Sequence, residues 1–117
     1  MTRREWMDLL ARKILILDGG LATLLVKDKV PGPGFCPEVF LLEAFEEVVA
    51  LHSRYARAGS DILLTNTFGG NRARLQASGL AHRLGEINRV GVEAARRGAG
   101  SRSLVAADMG PTESRAT

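Results

Sequence analysis

Ile62-Leu63-Leu64-Thr65-Asn66-Thr67-Phe68-Gly69-Gly70-Asn71 passes from an apolar run straight into a polar, glycine-containing cluster. The layout recurs twice. Ile14-Leu15-Ile16-Leu17 leads into Asp18-Gly19-Gly20, and Leu104-Val105-Ala106-Ala107 leads into Asp108-Met109-Gly110-Pro111-Thr112. Short continuous apolar runs mark strands buried on both faces of a parallel sheet. Ligands of α/β folds sit just past the carboxyl ends of such strands. The three clusters therefore read as neighbouring edges of one polar site. The chain stops soon after the third, so the site reads as unfinished.

The stretches between the runs read as helices. Residues 3–12 predict a short amphipathic helix with Trp6, Leu9 and Leu10 on one side. A strand follows over 14–18, then a short helix from Leu21 to Lys27 and a loop over 30–37, Val-Pro-Gly-Pro-Gly-Phe-Cys-Pro. Pro37 suits the first position of a further short helix. Phe45, Val48, Val49, His52, Tyr55 and Ala56 repeat at helical period, predicting a helix over 44–58 that Gly59 stops. After a strand at 61–65, Asn71 caps a helix over 72–78. A longer helix spans 81–98 with Leu84, Ile87, Gly91, Ala94 and Ala95 inward, and a last strand covers 103–107. Alternating strands and helices mean βαβ units and a parallel sheet.

With 117 residues the chain is a single domain at most. Hydrophobic content of 45% and charged content of 25% are those of an ordinary globular protein. No apolar stretch is long enough to cross a membrane, and no apolar segment backs the charged N-terminus as a secretory signal would, so the expected location is the cytoplasm. Cys36 is the only cysteine, which excludes an internal disulfide and a thiolate-rich zinc site; it reads as a half-buried loop residue. The net charge of +3 does not point to nucleic acid. Arg83, Glu86, Arg89, Glu93, Arg96 and Arg97 alternate in sign at three- and four-residue spacings, as on a solvated helix face. Aromatic residues are only 5%, and no arginine-flanked stacking platform exists.

Each polar cluster supports two readings. Asp18 at a strand end can hold an ammonium group, with Gly19 and Gly20 letting backbone N–H groups approach a ligand; the same residues also suit a tight turn with a capping aspartate. Asn66 and Thr67 offer uncharged donors and acceptors for a small polar ligand, or brace a hydrogen-bonded loop. The stretch lacks the spacing of a nucleotide-binding loop. Asp108 before Gly110-Pro111 can aim a carboxylate at the same place, or simply enter a turn. His52 reads as a packed side chain and His82 as an exposed one, neither with a metal-ligand partner at i+3 or i+4.

Taken together, Ile16–Leu25, Leu51–Asn71, Arg83–Asn88 and Ala107–Thr112 resemble the start of the homocysteine S-methyltransferase domain, most strongly the homocysteine-binding module that opens cobalamin-dependent methionine synthases. The Thr-Asn-Thr-Phe-Gly block after Ala-Gly-Ser-Asp-Ile carries most of the specificity. The resemblance implies a (β/α)8 barrel that methylates the sulfur of homocysteine to give methionine. It implies a zinc ion held by three cysteines of later strands, beyond Thr117, so no residue of this chain is a metal ligand. It implies that Asp18, Gly19 and Gly20 grip the amino-acid end of homocysteine, with Asn66, Thr67 and Asp108 shaping the wall. The methyl donor, methylcobalamin or methyltetrahydrofolate, would come from other modules. Two departures stand out: Ala22 replaces a usual Gly, and Ala44-Phe45 replaces a helix-starting His-Pro or Arg-Pro.

A barrel of this kind needs about 250 residues. The expectation is therefore about three βα units from its N-terminal part, 1–117 forming one partial domain, inactive alone and completed by the rest of the barrel. Three other readings stand beside it. They are a relative using betaine or S-methylmethionine, a non-catalytic piece that pairs with a partner chain, and a small doubly wound binding domain outside the family.

Overall fold

The computed structural model describes residues 1–27 and 31–112. Val30, part of the expected 30–37 loop, lies outside them. In chain order the elements are α1 (Arg3–Arg12), α2 (Ala22–Val26), a 3-10 turn (Pro37–Val39), α3 (Phe40–Glu43), α4 (Phe45–Ala58) and β1 (Ile62–Leu64). Then come α5 (Arg72–Ala77), a second 3-10 turn (Ala81–Arg83), α6 (Leu84–Ala99) and β2 (Leu104–Ala106).

β1 and β2 pair in parallel, with Ile62 opposite Leu104, Leu63 opposite Val105 and Leu64 opposite Ala106. The α5–α6 segment connects them, as a βαβ unit requires. The expected first strand is only partly realised. Residues 14–18 run beside β1, but a single parallel bridge forms, Leu17 to Ile62. Ile16 explains the shortfall. Its carbonyl accepts from the Asp61 and Ile62 amides at 2.8 and 3.2 Å. Its N–H, however, is taken by the Asp61 carboxylate at 3.0 Å instead of a strand carbonyl. A side chain has displaced a ladder bond. Nor is the run buried as expected: Ile14 is 89% exposed and Ile16 60%.

The core lies between α4 and α6. α4 buries Val48, Leu51, His52 and Ala56, and α6 buries Ile87, Gly91, Ala94, Ala95, Gly98 and Ala99, each at helical spacing; Gly91 lies against Thr67 and Leu41. Leu41, Leu75 and Leu25 close one end, and Leu63 of β1 packs with Ala56 and Ala99 at the other. Gly98 allows the two helices to approach closely. A Cβ there would fall on the His52 Cβ and lie 2.9 Å from both the Ser53 amide nitrogen and the Val49 carbonyl oxygen. Arg97 adds an exposed clamp, reaching Glu46 at 3.0 and 3.3 Å and lying 5.2 Å above the Phe45 ring.

Helix ends follow local chemistry. Gly59 ends α4 in the left-handed region at φ 107°. Asn71 caps α5 by accepting from the Arg74 amide at 3.0 Å. Ala44 offers α4 no side-chain cap, in line with the departure at Ala44-Phe45, and Glu46 and Glu47 favour that end electrostatically. α1 is held by a reciprocal Thr2–Glu5 capping box but buries nothing fully. Trp6 and Leu9 are half-buried and Leu10 is exposed, so its apolar side is weaker than the sequence predicts. No helix among the described residues is long and apolar enough to cross a membrane.

Candidate functional site

A cavity of about 560 Å³ opens at the carboxyl ends of the strands. Asp18, Gly19, Gly20, Asn66 and Asp108 all line it. Its apolar walls include Leu21, Ala22, Phe35, Phe68 and Ala73. Five of the six residues singled out in the sequence therefore meet in one place. Thr67 is the exception: it is buried beneath the loop and does not line the cavity.

Asp18 follows directly on the Leu17 bridge. Both of its carboxylate oxygens accept from the Leu64 amide, at 3.2 Å each, so the side chain continues the hydrogen bonding of β1 where the ladder ends. Burial raises its pKa; the bond from Leu64 opposes this in part, and the nearby Asp108 carboxylate adds to the rise. The Gly19-Gly20 turn is set by Tyr55 of α4. The Tyr55 hydroxyl donates to the Gly20 carbonyl at 2.8 Å, and a Cβ on Gly19 would sit 2.9 Å from that hydroxyl oxygen. Asp18 does not cap the helix that follows, whose N-cap position is Leu21 with no side-chain bond; its carboxylate is held by Leu64 and lines the cavity.

Under the floor, Thr65, Thr67 and Asp108 form a closed set. The Thr67 hydroxyl donates to the Asp108 carbonyl at 2.9 Å. Its one proton is then committed, so in the 2.6 Å contact between the two hydroxyls Thr65 must be the donor. The Asp108 amide donates back to the Thr65 hydroxyl oxygen at 3.0 Å. The Asp108 backbone is fixed from both sides, and its carboxylate remains on the cavity wall. Burial raises the Asp108 pKa, and the Glu38 charge raises it further. Asn66 donates to the Pro37 carbonyl at 3.2 Å, tying the loop to the 3-10 turn.

Two cavity residues were not legible as such in the sequence. Glu38, only 2% exposed, lies in the Pro37–Val39 turn and accepts from Gly69 and Cys36. Phe68 forms part of the mouth, 46% exposed, with the Arg74 guanidinium 5.7 Å from its ring centroid. A Glu in a Pro-Glu pair gives no local sign that it will be buried; the Pro-Gly-rich stretch before it was the only hint. Cys36, expected half-buried, is buried, and its thiol is pushed up to about 11 by burial and by the Glu38 carboxylate.

Two carboxylates on one cavity, Asp18 and Asp108, suit a ligand with a cationic end, because a bound ammonium relieves the repulsion between them. The apolar walls suit a short alkyl or thioalkyl remainder.

Residues 15–117 match the model of the homocysteine S-methyltransferase family. The methionine synthase of Mycobacterium tuberculosis is 30% identical over 98 residues, which is 80% of this chain and 8% of that protein. The methionine synthase of Mycobacterium leprae is 29% identical over the same shares. The crystal structure of the homocysteine methyltransferase MmuM from Escherichia coli, in its oxidized form, superposes with a TM-score of 0.74 at 27% identity, covering 90% of this chain and 40% of that one. The chain thus spans less than a tenth of the two mycobacterial relatives' length.

Proposed function

The chain belongs to the homocysteine S-methyltransferase family, and from that premise we propose that it supplies the part of a (β/α)8 barrel that grips the amino-acid end of homocysteine while its sulfur is methylated to methionine. The observation that carries this reading is the half-buried Asp18 carboxylate, of raised proton affinity, facing the same cavity as Asp108. Asp18 orients the substrate ammonium. The exposed Gly19 and Gly20 amides meet the substrate carboxylate, Asn66 and Asp108 shape the wall, and Thr67 works from beneath by fixing Asp108. The parallel order and the one-sided pairing of β2 among the described residues support the barrel. Likeness to the mycobacterial methionine synthases supports the methionine-synthase type, with methylcobalamin or methyltetrahydrofolate delivered by other modules. We place the protein in the cytoplasm.

Zinc is expected of the family, but the described residues do not fit it. A tetrahedral site needs three or four converging thiolate, imidazole or carboxylate ligands. Among the described residues no group of three such side chains converges. The one thiol is bonded to a carboxylate and keeps its proton at neutral pH. The part of these residues in the reaction is therefore binding and orientation, and the chain alone is expected to give no methionine when mixed with zinc, homocysteine and a methyl donor. Sustained turnover in that assay overturns this.

The binding role is tested by calorimetry with L-homocysteine against 4-mercaptobutyrate, which differs from it only in lacking the ammonium. Asp18→Asn keeps an oxygen for the Leu64 amide but removes the charge. A hydrogen bond to a charged group is worth about 1.5–3 kcal/mol, so the variant should bind L-homocysteine roughly 10- to 100-fold more weakly. Because the Asp18 pKa is raised, affinity should begin to fall on acidification while still above the ordinary carboxylate range. Equal binding of the two ligands by the parent chain sinks the proposal.

A further inference from the structure

Glu38 is a carboxylate with 2% exposure and no lysine or arginine paired to it among the described residues. Burying a carboxylate without a cationic partner is unfavourable unless its oxygens are well satisfied. Here one oxygen accepts from the Gly69 amide at 2.5 Å and the other from the Cys36 thiol at 2.8 Å. The approach is tight enough that a Cβ on Gly69 would lie 2.9 Å from a Glu38 oxygen. On its other side the same loop is joined to the third cluster, since Thr67 donates to the Asp108 carbonyl and Gly110 donates to the Phe68 carbonyl at 3.1 Å. The loop is thus a bridge with Glu38 at one end and Asp108 at the other.

We propose that Glu38 is the positioning residue of this site: by pinning the loop at Gly69 it sets where the Asp108 carboxylate stands on the cavity wall. A charged acceptor makes the stronger bond to a backbone N–H, and it holds the loop without needing a contact to the ligand. Its negative charge also acts across the cavity on Asp108. For the identity of the ligand this inference rests on the homocysteine reading above; for the role of Glu38 it rests on the hydrogen bonds alone.

The test uses the whole chain and the variants Glu38→Ala and Glu38→Gln, with three readouts. These are hydrogen exchange at the Gly69 amide, ultraviolet titration of the Cys36 thiol, and L-homocysteine affinity as a function of pH. Glu38→Ala should speed Gly69 exchange at least tenfold and weaken L-homocysteine at least tenfold. Glu38→Gln still offers an oxygen to Gly69, so exchange there should stay within threefold of the parent. It removes the charge, so Cys36 should titrate at lower pH, and the pH profile of binding should move down as Asp108 loses its charged neighbour. A brace with no bearing on Asp108 would leave L-homocysteine affinity and its pH profile at parent values in both variants. Parent-like Gly69 exchange in Glu38→Ala, or parent-like titrations in Glu38→Gln, overturns the proposal. If Glu38→Ala fails to fold, the Gln titrations decide. If the parent chain does not bind L-homocysteine, the homocysteine reading falls while Gly69 exchange and the Cys36 titration still decide the role of Glu38.

Discussion

Acidification from pH 7 to pH 4 should destabilise this fold by up to about 3 kcal/mol through one side chain, His52. His52 is fully buried between α4 and α6, and neither of its ring nitrogens has a hydrogen-bond partner. Burial alone lowers its pKa to about 4 from the ordinary 6.5. The sign follows from linkage. Above 6.5 the ring is neutral in both folded and unfolded chains, and stability is at its full value. Between 6.5 and 4 the unfolded chain takes up a proton that the folded chain refuses, so stability falls as pH falls. Below 4 both forms are protonated and the loss is complete. Urea unfolding at pH 7, 5.5 and 4.5 measures the slope. His52→Leu, of similar volume, removes the unpaired nitrogens, each about 1–3 kcal/mol when buried unsatisfied. The variant should be more stable at pH 7, and its unfolding midpoint should fall less over this range. An equal decline in variant and parent would place the acid sensitivity elsewhere.

Gly98→Val should be the most damaging single change at the same interface. In an open helix, replacing Gly by Ala gains about 1 kcal/mol of propensity. At Gly98 that gain is outweighed. The new Cβ would collide with the His52 Cβ and crowd two backbone atoms of α4, which cannot rotate away as a side-chain tip can. Overpacking of this kind costs about 1–3 kcal/mol, and more when backbones must separate. Gly98→Ala should therefore be destabilising despite its better propensity. Gly98→Val adds the restricted rotamers of a branched side chain and should lose about 3 kcal/mol or more. Thermal melts of the two variants check the order. A melting temperature for Gly98→Ala at or above that of the parent would contradict the close crossing.

These two residues show where sequence reading succeeded and where it stopped. The inward stripe carrying His52 was legible because α4 is long and its period repeats. The sequence puts Gly98 at the end of the 81–98 helix and does not count it among the inward residues, yet it is buried inside α6, which continues to Ala99. A glycine used for close approach looks the same in sequence as one used to end a helix. β1, β2 and the caps at Asn71 and Gly59 were legible because their signals are local. The 14–18 strand was overestimated because Asp61, far along the chain, captures the Ile16 amide. Asp18, Asn66 and Asp108 converge because strand ends converge. Thr67 turns under the loop, since a pattern of alternating polar residues does not say which faces the ligand. Glu38 was missed because its donor, Gly69, is 31 residues away.

The paired threonine hydroxyls beneath the cavity have a further consequence. Thr67 points its proton at the Asp108 carbonyl and Thr65 points its proton at Thr67, leaving neither rotor free to reorient. A floor so locked cannot change its donor pattern to suit a different guest. Any adjustment to a different guest then falls to the rim of the cavity, where Phe68 and Phe35 are 46% and 38% exposed.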